Sequence, residues 1–521
     1  MNLARAFATV SGLTLVSRAL GYVRDVLFAA LLGTGASADA FFVAFKLPNF
    51  FRRLFAEGAF SAAFVPMFAG RLETEGRDAA RRLASEALAM LVAALLVLVL
   101  VAEIAMPLVM VVLAPGFIGE PEKFALAVEL TRITFPYLLL VSMVALLGGM
   151  LNSAGRFAAF AAAPIMLNLC LIAAALIARH GGTGADRTLA WGIAAGGLAQ
   201  LLVLAVAVRR AGLMPHLTLP RLTDDVRKVL KLFFPAAVGA GAMQLNLVVD
   251  VMVASLLPTG AISYLYYADR INQLPLGVIG IAVGTALLPL LSRQLKAGDG
   301  PGALASQNRA IEMALFFTVP ATAALIVVAE PLMSVLFERG EFTAEAAVAS
   351  ADALVAFAIG LPAFVLVKVL TPGFFARQDT KTPVKIALVA MVTNVILNLA
   401  LMGPLAHVGI ALATTIAAWL NCGLLYLLLY RRGLMAADAR LVARLPRTLA
   451  ATAVMTAALW AGLTYGQPYL DDDFAGRALG LAVLIVGGLL LYAGTAQVTG
   501  AARLSEIRRL MRRVPAETPP A

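Results

Sequence analysis

Apolar runs of about 20 residues, separated by short charged or Pro/Gly-rich breaks, recur along the whole chain. Read in windows of that length, they predict fourteen membrane-spanning helices. These lie near 7–33, 37–68, 84–113, 124–151, 157–179, 188–210, 228–257, 262–292, 309–336, 346–376, 383–403, 405–430, 444–465 and 476–499, and the pair 383–403 and 405–430 shares a very short turn at Gly403 and Pro404. The first two spans depart from the pattern. SRALGYVRD and, after a Gly/Ser turn, ADAFFVAFKLPNFFRRLFAEGAFSAAFVP are apolar enough to cross a bilayer, yet they hold Arg18, Arg24, Asp25, Asp39, Lys46, Arg52, Arg53 and Glu57. An ionisable side chain at membrane depth costs about 2.5–3.5 kcal/mol on insertion scales. So many charges cannot face lipid. They are expected to line a watery cavity inside a helix bundle, and the cationic ones suggest an anionic cargo.

Spacing refines this picture. Arg18 and Asp25 are seven residues apart, as are Ser17 and Arg24, so all four share one helix sector, with Gly21 thinning the surface between them. Asp39, Lys46 and Arg53 repeat at the same interval, although Pro48 is expected to kink that helix. A set of internal salt bridges that merely held helices together would look similar. Buried ion pairs are weak stabilisers, however, so structure alone gives little reason to collect them. The eighth span opens SYLYYADRINQLPLGVIG and places Asp269 and Arg270 inside an apolar run. Tyr264, Tyr266 and Tyr267 before them read either as an interfacial belt, the commoner use, or as a stacking surface. Arg270 facing Arg18 and Arg24 would form a three-arginine clamp. Guanidinium forks match phosphate oxygens bidentately, so such a clamp suits a pyrophosphate. Lys368 is a lone cation in the tenth span, equally suited to contacting cargo or to snorkelling.

An internal repeat organises the spans. FSAAFVPMFAGR closes span 2 and VGTALLPLLSR closes span 8; spans 6 and 12 both open with Gly-Ile-Ala, at Gly192 and Gly409. The offset of about 220 residues relates spans 1–6 to spans 7–12, with both copies in the same orientation. The expected fold is therefore all-α and polytopic, with two parallel six-helix lobes, 1–215 and 216–435. Two extra transmembrane helices follow at 436–500, then a basic tail at 501–521. Lys and Arg concentrate in the loops after even-numbered spans, whereas the opposite loops hold only about six, which places both termini in the cytoplasm.

Composition agrees with a membrane protein: 61% of the 521 residues are hydrophobic. The net charge of +11 would suggest nucleic acid in a soluble chain. Here the basic residues sit in short loops, where they set topology and meet anionic headgroups, so no nucleic-acid partner is expected. Cys170 and Cys422 lie in apolar spans far apart, which argues for core residues rather than a disulfide. His180, His216 and His407 are too scattered for a zinc site. Charges interrupt the first apolar stretch, so it does not read as a cleaved signal peptide. With no nucleophile–base set, phosphate loop or metal motif, the chain does not read as an enzyme.

SRALGYVRD, the segment from Asp39 through FFVAFKLPNFFRRLFAEGAFSAAFVP, and YADRINQLPLGVIGIAVGTALLP resemble the MurJ/MviN family. Its members are lipid II flippases of the MOP (multidrug/oligosaccharidyl-lipid/polysaccharide) superfamily. The resemblance covers the whole chain. It implies export of the undecaprenyl-pyrophosphate-linked disaccharide-pentapeptide across the bacterial inner membrane for peptidoglycan synthesis. It carries substrate-binding roles to Arg18, Arg24 and Arg270, then to Arg52, Asp39 and Glu57, and more weakly to Asp25, Lys46 and Asn49. Spans 13 and 14 would supply a groove for the lipid tail. The partners implied are lipid II, membrane lipids and, as further candidates, cell-wall synthesis and division proteins. No cofactor is implied other than sodium, which some members bind in the second bundle. The matching positions are Asp250, Asn394, Asn398 and Thr414. A carboxylate is expected where Asn398 stands, so the site is short of one charge, and a hydrogen-bonded polar network is the alternative.

Two rivals remain within transport: a flippase for another lipid-linked polysaccharide and a cation-coupled drug exporter, the latter disfavoured by the arginines. A non-transporting scaffold of the wall-synthesis machinery would leave the buried charges unexplained.

Overall fold

The computed structural model describes residues 3–52, 60–181, 184–216, 218–470 and 474–501. Among the described residues all repetitive structure is helical. A bilayer demands this of a chain so apolar, because lipid offers no partner for an unpaired backbone N–H or C=O. The helices are α1 (Leu3–Leu32), α2 (Ala36–Arg52), α3 (Phe60–Thr74), α4 (Arg77–Ile104), α5 (Met106–Leu113), α6 (Pro121–Thr134), α7 (Tyr137–Ser153), α8 (Ala158–Gly181), α9 (Ala185–Arg210), α10 (Asp224–Ser255), α11 (Ala261–Lys296), α12 (Gly300–Phe337), α13 (Ala344–Phe375), α14 (Lys381–Arg431), α15 (Ala439–Leu470) and α16 (Phe474–Thr499). Nine helical segments among the described residues are long and apolar enough to cross a membrane.

Several expected spans are broken. The third is α4 and α5, which part at Ala105 because Pro107 has no N–H for the preceding turn. The fourth parts at Phe135 and Pro136, where Leu138 N donates to Phe135 O in a tightened turn. In the second, α2 ends at Arg52 and α3 begins at Phe60; Glu57 lies outside the described residues. Spans 11 and 12 run together as the 51 residues of α14, interrupted at Ala406 by φ 47° and ψ −129°. At about 1.5 Å per residue α14 is more than twice as long as the hydrocarbon core is thick, which is length enough for two passes.

The chain forms two compact units, Met1–Ser263 with Phe337–Ala346, and Tyr264–Leu336 with Ala347–Ala521. Lipid tails are as apolar as leucine, so helices in a bilayer associate through close packing and hydrogen bonds rather than water exclusion. In the first unit α9 packs on α8 through Gly192 and Gly196. A Cβ at either position would come within 2.6 Å of Ala174 or Leu167, respectively. Phe28 of α1 meets Phe41 of α2 edge-on at 5.3 Å, with both rings wholly buried. In the second unit Leu287 and Leu291 of α11, Ala314 of α12, Val369 of α13 and Leu425 of α14 belong to one buried cluster.

Candidate functional site

The charged sector of α1 is built inward. Arg24 and Asp25 are 7% and 3% exposed, a burial that a charge tolerates only when paired. Asp25 Oδ1 accepts from Arg24 Nε at 3.0 Å and from Nη2 at 2.7 Å. Arg24 Nη1 donates to Asn168 Oδ1 of α8 at 2.9 Å, and Asn168 Nδ2 donates onward to Ser17 O at 2.8 Å. The guanidinium also lies 5.5 Å from the Phe28 ring centre and 6.0 Å from that of Phe45. The seven-residue spacing of Ser17 and Arg24 thus has a structural counterpart: one amide reaches both. Arg18 is half-buried on the same helix.

On α2, Lys46, Asn49 and Arg52 are half-buried. Asn49 Nδ2 donates to Phe45 O, and Asn49 Oδ1 accepts from Arg52 Nε, both at 3.2 Å. Asp39 sits at the other end of this helix and is 1% exposed. Its Oδ2 accepts from Gly260 N at 2.8 Å; its Oδ1 accepts from Ser263 N at 3.0 Å and Ser263 Oγ at 2.6 Å. The carboxylate therefore caps the start of α11, where unsatisfied N–H groups and the helix dipole both favour an anion. Its charge partner is Lys123 of α6 at 3.2 Å, not one of the arginines. Lys123 also donates to Thr259 Oγ1 at 2.9 Å and packs 4.4 Å from the Phe117 ring centre.

In the second unit, Arg270 Nη2 donates to Tyr266 OH at 3.0 Å, and its guanidinium lies 4.8 Å from the same ring's centre. Tyr266 and Tyr267 are buried and meet edge-on at 5.5 Å. The belt reading of this cluster is therefore corrected: these rings pack inside the unit, and Tyr266 supports Arg270. Lys368 is exposed, its stem passing over Gly280.

The sodium candidates are split between the units. Asp250 is half-buried on α10 in the first. Asn394 and Asn398 are wholly buried on α14 in the second. Asn398 Nδ2 donates to Asn394 Oδ1 at 3.0 Å, and Asn394 Nδ2 donates to Thr414 Oγ1 at 3.2 Å. The three side chains form a hydrogen-bonded network. Among the described residues no group of three or more His, Cys, Asp or Glu side chains could hold a metal.

Two residues at these sites escaped the sequence reading. Asn168 was findable: between Ala158 and Ala178 it is the one strongly polar side chain in an apolar helix, and such residues in membrane helices seek partners. Lys123 was not, because it follows Glu120 and Glu122 at a span's start, where a lysine is ordinary.

The family model described as "Lipid II flippase MurJ" matches residues 28–474. The chain belongs to the MurJ family. A probable lipid II flippase MurJ from Rhizobium meliloti (strain 1021) is 46% identical over 519 residues, covering 98% of this chain and 97% of the relative. The lipid II flippase MurJ of Burkholderia cenocepacia is 38% identical over 438 residues, covering 83% and 85%. A solved structure of lipid II flippase MurJ in an inward closed conformation is 26% identical, with a TM-score of 0.78 over 96% of this chain and 99% of that one. An inward-facing MATE transporter of the MOP superfamily, 15% identical over 80% of this chain and 94% of its own, has a TM-score of 0.66 and shares the fold. The MurJ resemblance and the MOP-type all-helical architecture are thus borne out.

Proposed function

We infer that this chain is a lipid II flippase: a transporter, not a catalyst, that moves the undecaprenyl-pyrophosphate-linked disaccharide-pentapeptide from the inner to the outer leaflet by alternating access. The observation that carries the reading is the buried guanidinium of Arg24, oriented within a membrane helix of a MurJ-family chain. Buried cationic forks serve a phosphate cargo and have little structural use otherwise. In this reading Arg18, Arg24 and Arg270 contact the pyrophosphate. Arg52, Lys46 and Asn49 with Glu57 extend the polar path, and Asp25 balances Arg24 while the cavity is empty. Like charges about 4 Å apart repel by about 4 kcal/mol per pair at an effective dielectric of about 20. Drawing arginines together is therefore favourable only with an anion between them, which couples closure to cargo.

The lobes 1–215 and 216–435 would rock around the headgroup, while 436–500 accommodates the lipid tail. Fourteen passes with both termini cytoplasmic, and the 501–521 tail on the inner leaflet, complete the arrangement. Asp250, Asn394, Asn398 and Thr414 offer oxygen ligands for sodium as a coupling ion. Contact with cell-wall synthesis and division proteins belongs to the same proposal.

The test is complementation of a bacterium depleted of its own lipid II flippase, at matched membrane levels. The parent chain is expected to rescue growth; Arg18→Ala, Arg24→Ala and Arg270→Ala are each expected to fail. Rescue by every variant would remove the arginine mechanism. No rescue by a well-expressed parent would favour a flippase for another lipid-linked polysaccharide, or a scaffold.

A further inference from the structure

We propose that Asn168 is a positioning residue for cargo capture: it holds the Arg24 guanidinium in its binding orientation without reducing its charge. The inference rests on the reading of Arg24 as a phosphate contact.

Both ends of the Asn168 side chain are fixed. Its Oδ1 faces a guanidinium N–H, which can only donate, and its Nδ2 faces the Ser17 carbonyl, which can only accept. The amide therefore has one workable orientation, and it is only 5% exposed. It bridges two turns of α1 across Gly21, where even a methyl group would lie 3.5 Å from Nδ2. Through that bridge α8 registers the guanidinium against the α1 backbone.

Charge explains why an amide serves here. Asp25 already supplies one negative charge, through two hydrogen bonds to Nε and Nη2. A carboxylate at position 168 would hold Nη1 equally well, but it would add a second negative charge beside the guanidinium and weaken its attraction for a pyrophosphate. A neutral acceptor fixes the fork and leaves its charge as it is. Three of the five guanidinium N–H groups are thereby committed, and the other two remain to meet phosphate oxygens in a set direction.

The test uses the purified full chain in detergent, with lipid II as the probe, and measures both binding and melting temperature. Asn168→Ala is expected to weaken lipid II binding by about tenfold, the scale of one hydrogen bond to a charged group. Asn168→Asp is expected to weaken it at least as much, because it keeps the acceptor for Arg24 but adds a negative charge beside it and gives up the donor to Ser17 O, while melting no lower than Asn168→Ala. A residue serving only as a strut between helices would instead show binding that follows the melting temperature, with Asn168→Asp binding better than Asn168→Ala. The double variant Arg24→Ala/Asn168→Ala should bind no more weakly than Arg24→Ala alone. Parental binding by Asn168→Asp, or a full additive loss in the double variant, overturns the assignment. Loss with Arg24→Ala but parental binding by Asn168→Ala overturns it while sparing Arg24. Parental binding by Arg24→Ala overturns both.

Discussion

Lys123 Nζ lies 3.2 Å from Asp39 Oδ2, and each side chain is 2% exposed. This buried pair connects α6, α2 and the start of α11, since the same carboxylate accepts from Gly260 and Ser263. Breaking a buried pair by removing one partner costs about 3–5 kcal/mol, because the other charge stays buried without its counter-ion. Lys123→Met should therefore lower the melting temperature markedly and leave α11 without a well-held start. Asp39→Asn/Lys123→Met, which removes both charges, should recover part of the loss. A single Lys123→Met variant that melts with the parent would deny the pair its structural role. Cysteine crosslinking of inward and outward states in Asp39→Asn gives a second readout, with unchanged populations counting against any role in the transport cycle.

The end of α1 rests on the Phe337–Ala346 turn, backbone against backbone. Gly33 and Gly340 have φ of 59° and 58°, and Glu341 N donates to Ala30 O at 3.0 Å. A Cβ at Gly33 would collide with the Glu341 carbonyl, and one at Gly340 with that of Ala30. Gly340→Ala combines left-handed strain of about 1–2 kcal/mol with overpacking of about 1–3 kcal/mol. It should show low membrane levels and a depressed melting temperature. Gly12→Ala is the control: a Cβ there meets nothing within 4 Å, and the extra methyl should be neutral or gain about 0.5–1 kcal/mol in helix propensity. Similar behaviour by the two variants would contradict the close approach.

Lipid solvation is a local property, so hydropathy showed where helices would run and which charges could not face lipid. Arg24, Asp25, Asp39 and Arg270 stood out for that reason. Their partners depend on tertiary neighbours, which periodicity cannot name. Asp39 meets a lysine from a distant helix, and Arg24 meets an asparagine whose span otherwise reads as plain lipid-facing helix. The kinks were half-legible. Pro107 and Pro136 mark the breaks in spans 3 and 4, but both were absorbed into long apolar windows. The belt, the commoner reading of Tyr266 and Tyr267, fails because burial of an amphipathic ring depends on a partner such as Arg270, which composition does not reveal.

A pH dependence follows from Asp379, between α13 and α14. The Thr382 hydroxyl, then Arg432, then the Thr382 N–H all donate to this carboxylate and hold it well below the usual carboxylate range. A carboxyl whose folded value is depressed contributes stability that is complete above its unfolded value of about 4 and is lost as the pH falls toward the folded one. Asp379→Asn should therefore melt below the parent at neutral pH, with a gap that narrows only in acid below about pH 4. A gap independent of pH would show that shape, not charge, makes the contact matter.

Glu312 of α12 gathers three arginines. Arg444 Nη1 lies 2.6 Å from its Oε1, Arg440 Nε lies 3.2 Å from its Oε2, and Arg309 donates to it from the preceding turn. Arg309 also pairs with Asp438, whose Oδ1 accepts from Leu441 N at 2.7 Å and so caps α15. One carboxylate thus joins α12 to the beginning of α15, and its loss removes the counter-ion that the three arginines share. Glu312→Gln keeps the shape but removes the charge, and should loosen the start of α15. Backbone amide exchange over 438–445 should accelerate by tenfold or more, while exchange in α16 changes little. Asp438→Ala removes a cap, worth about 1 kcal/mol, and one of the two carboxylates that Arg309 meets, and should give a smaller acceleration over the same residues. If Asp438→Ala loosens α15 more than Glu312→Gln does, Asp438 rather than Glu312 anchors that helix.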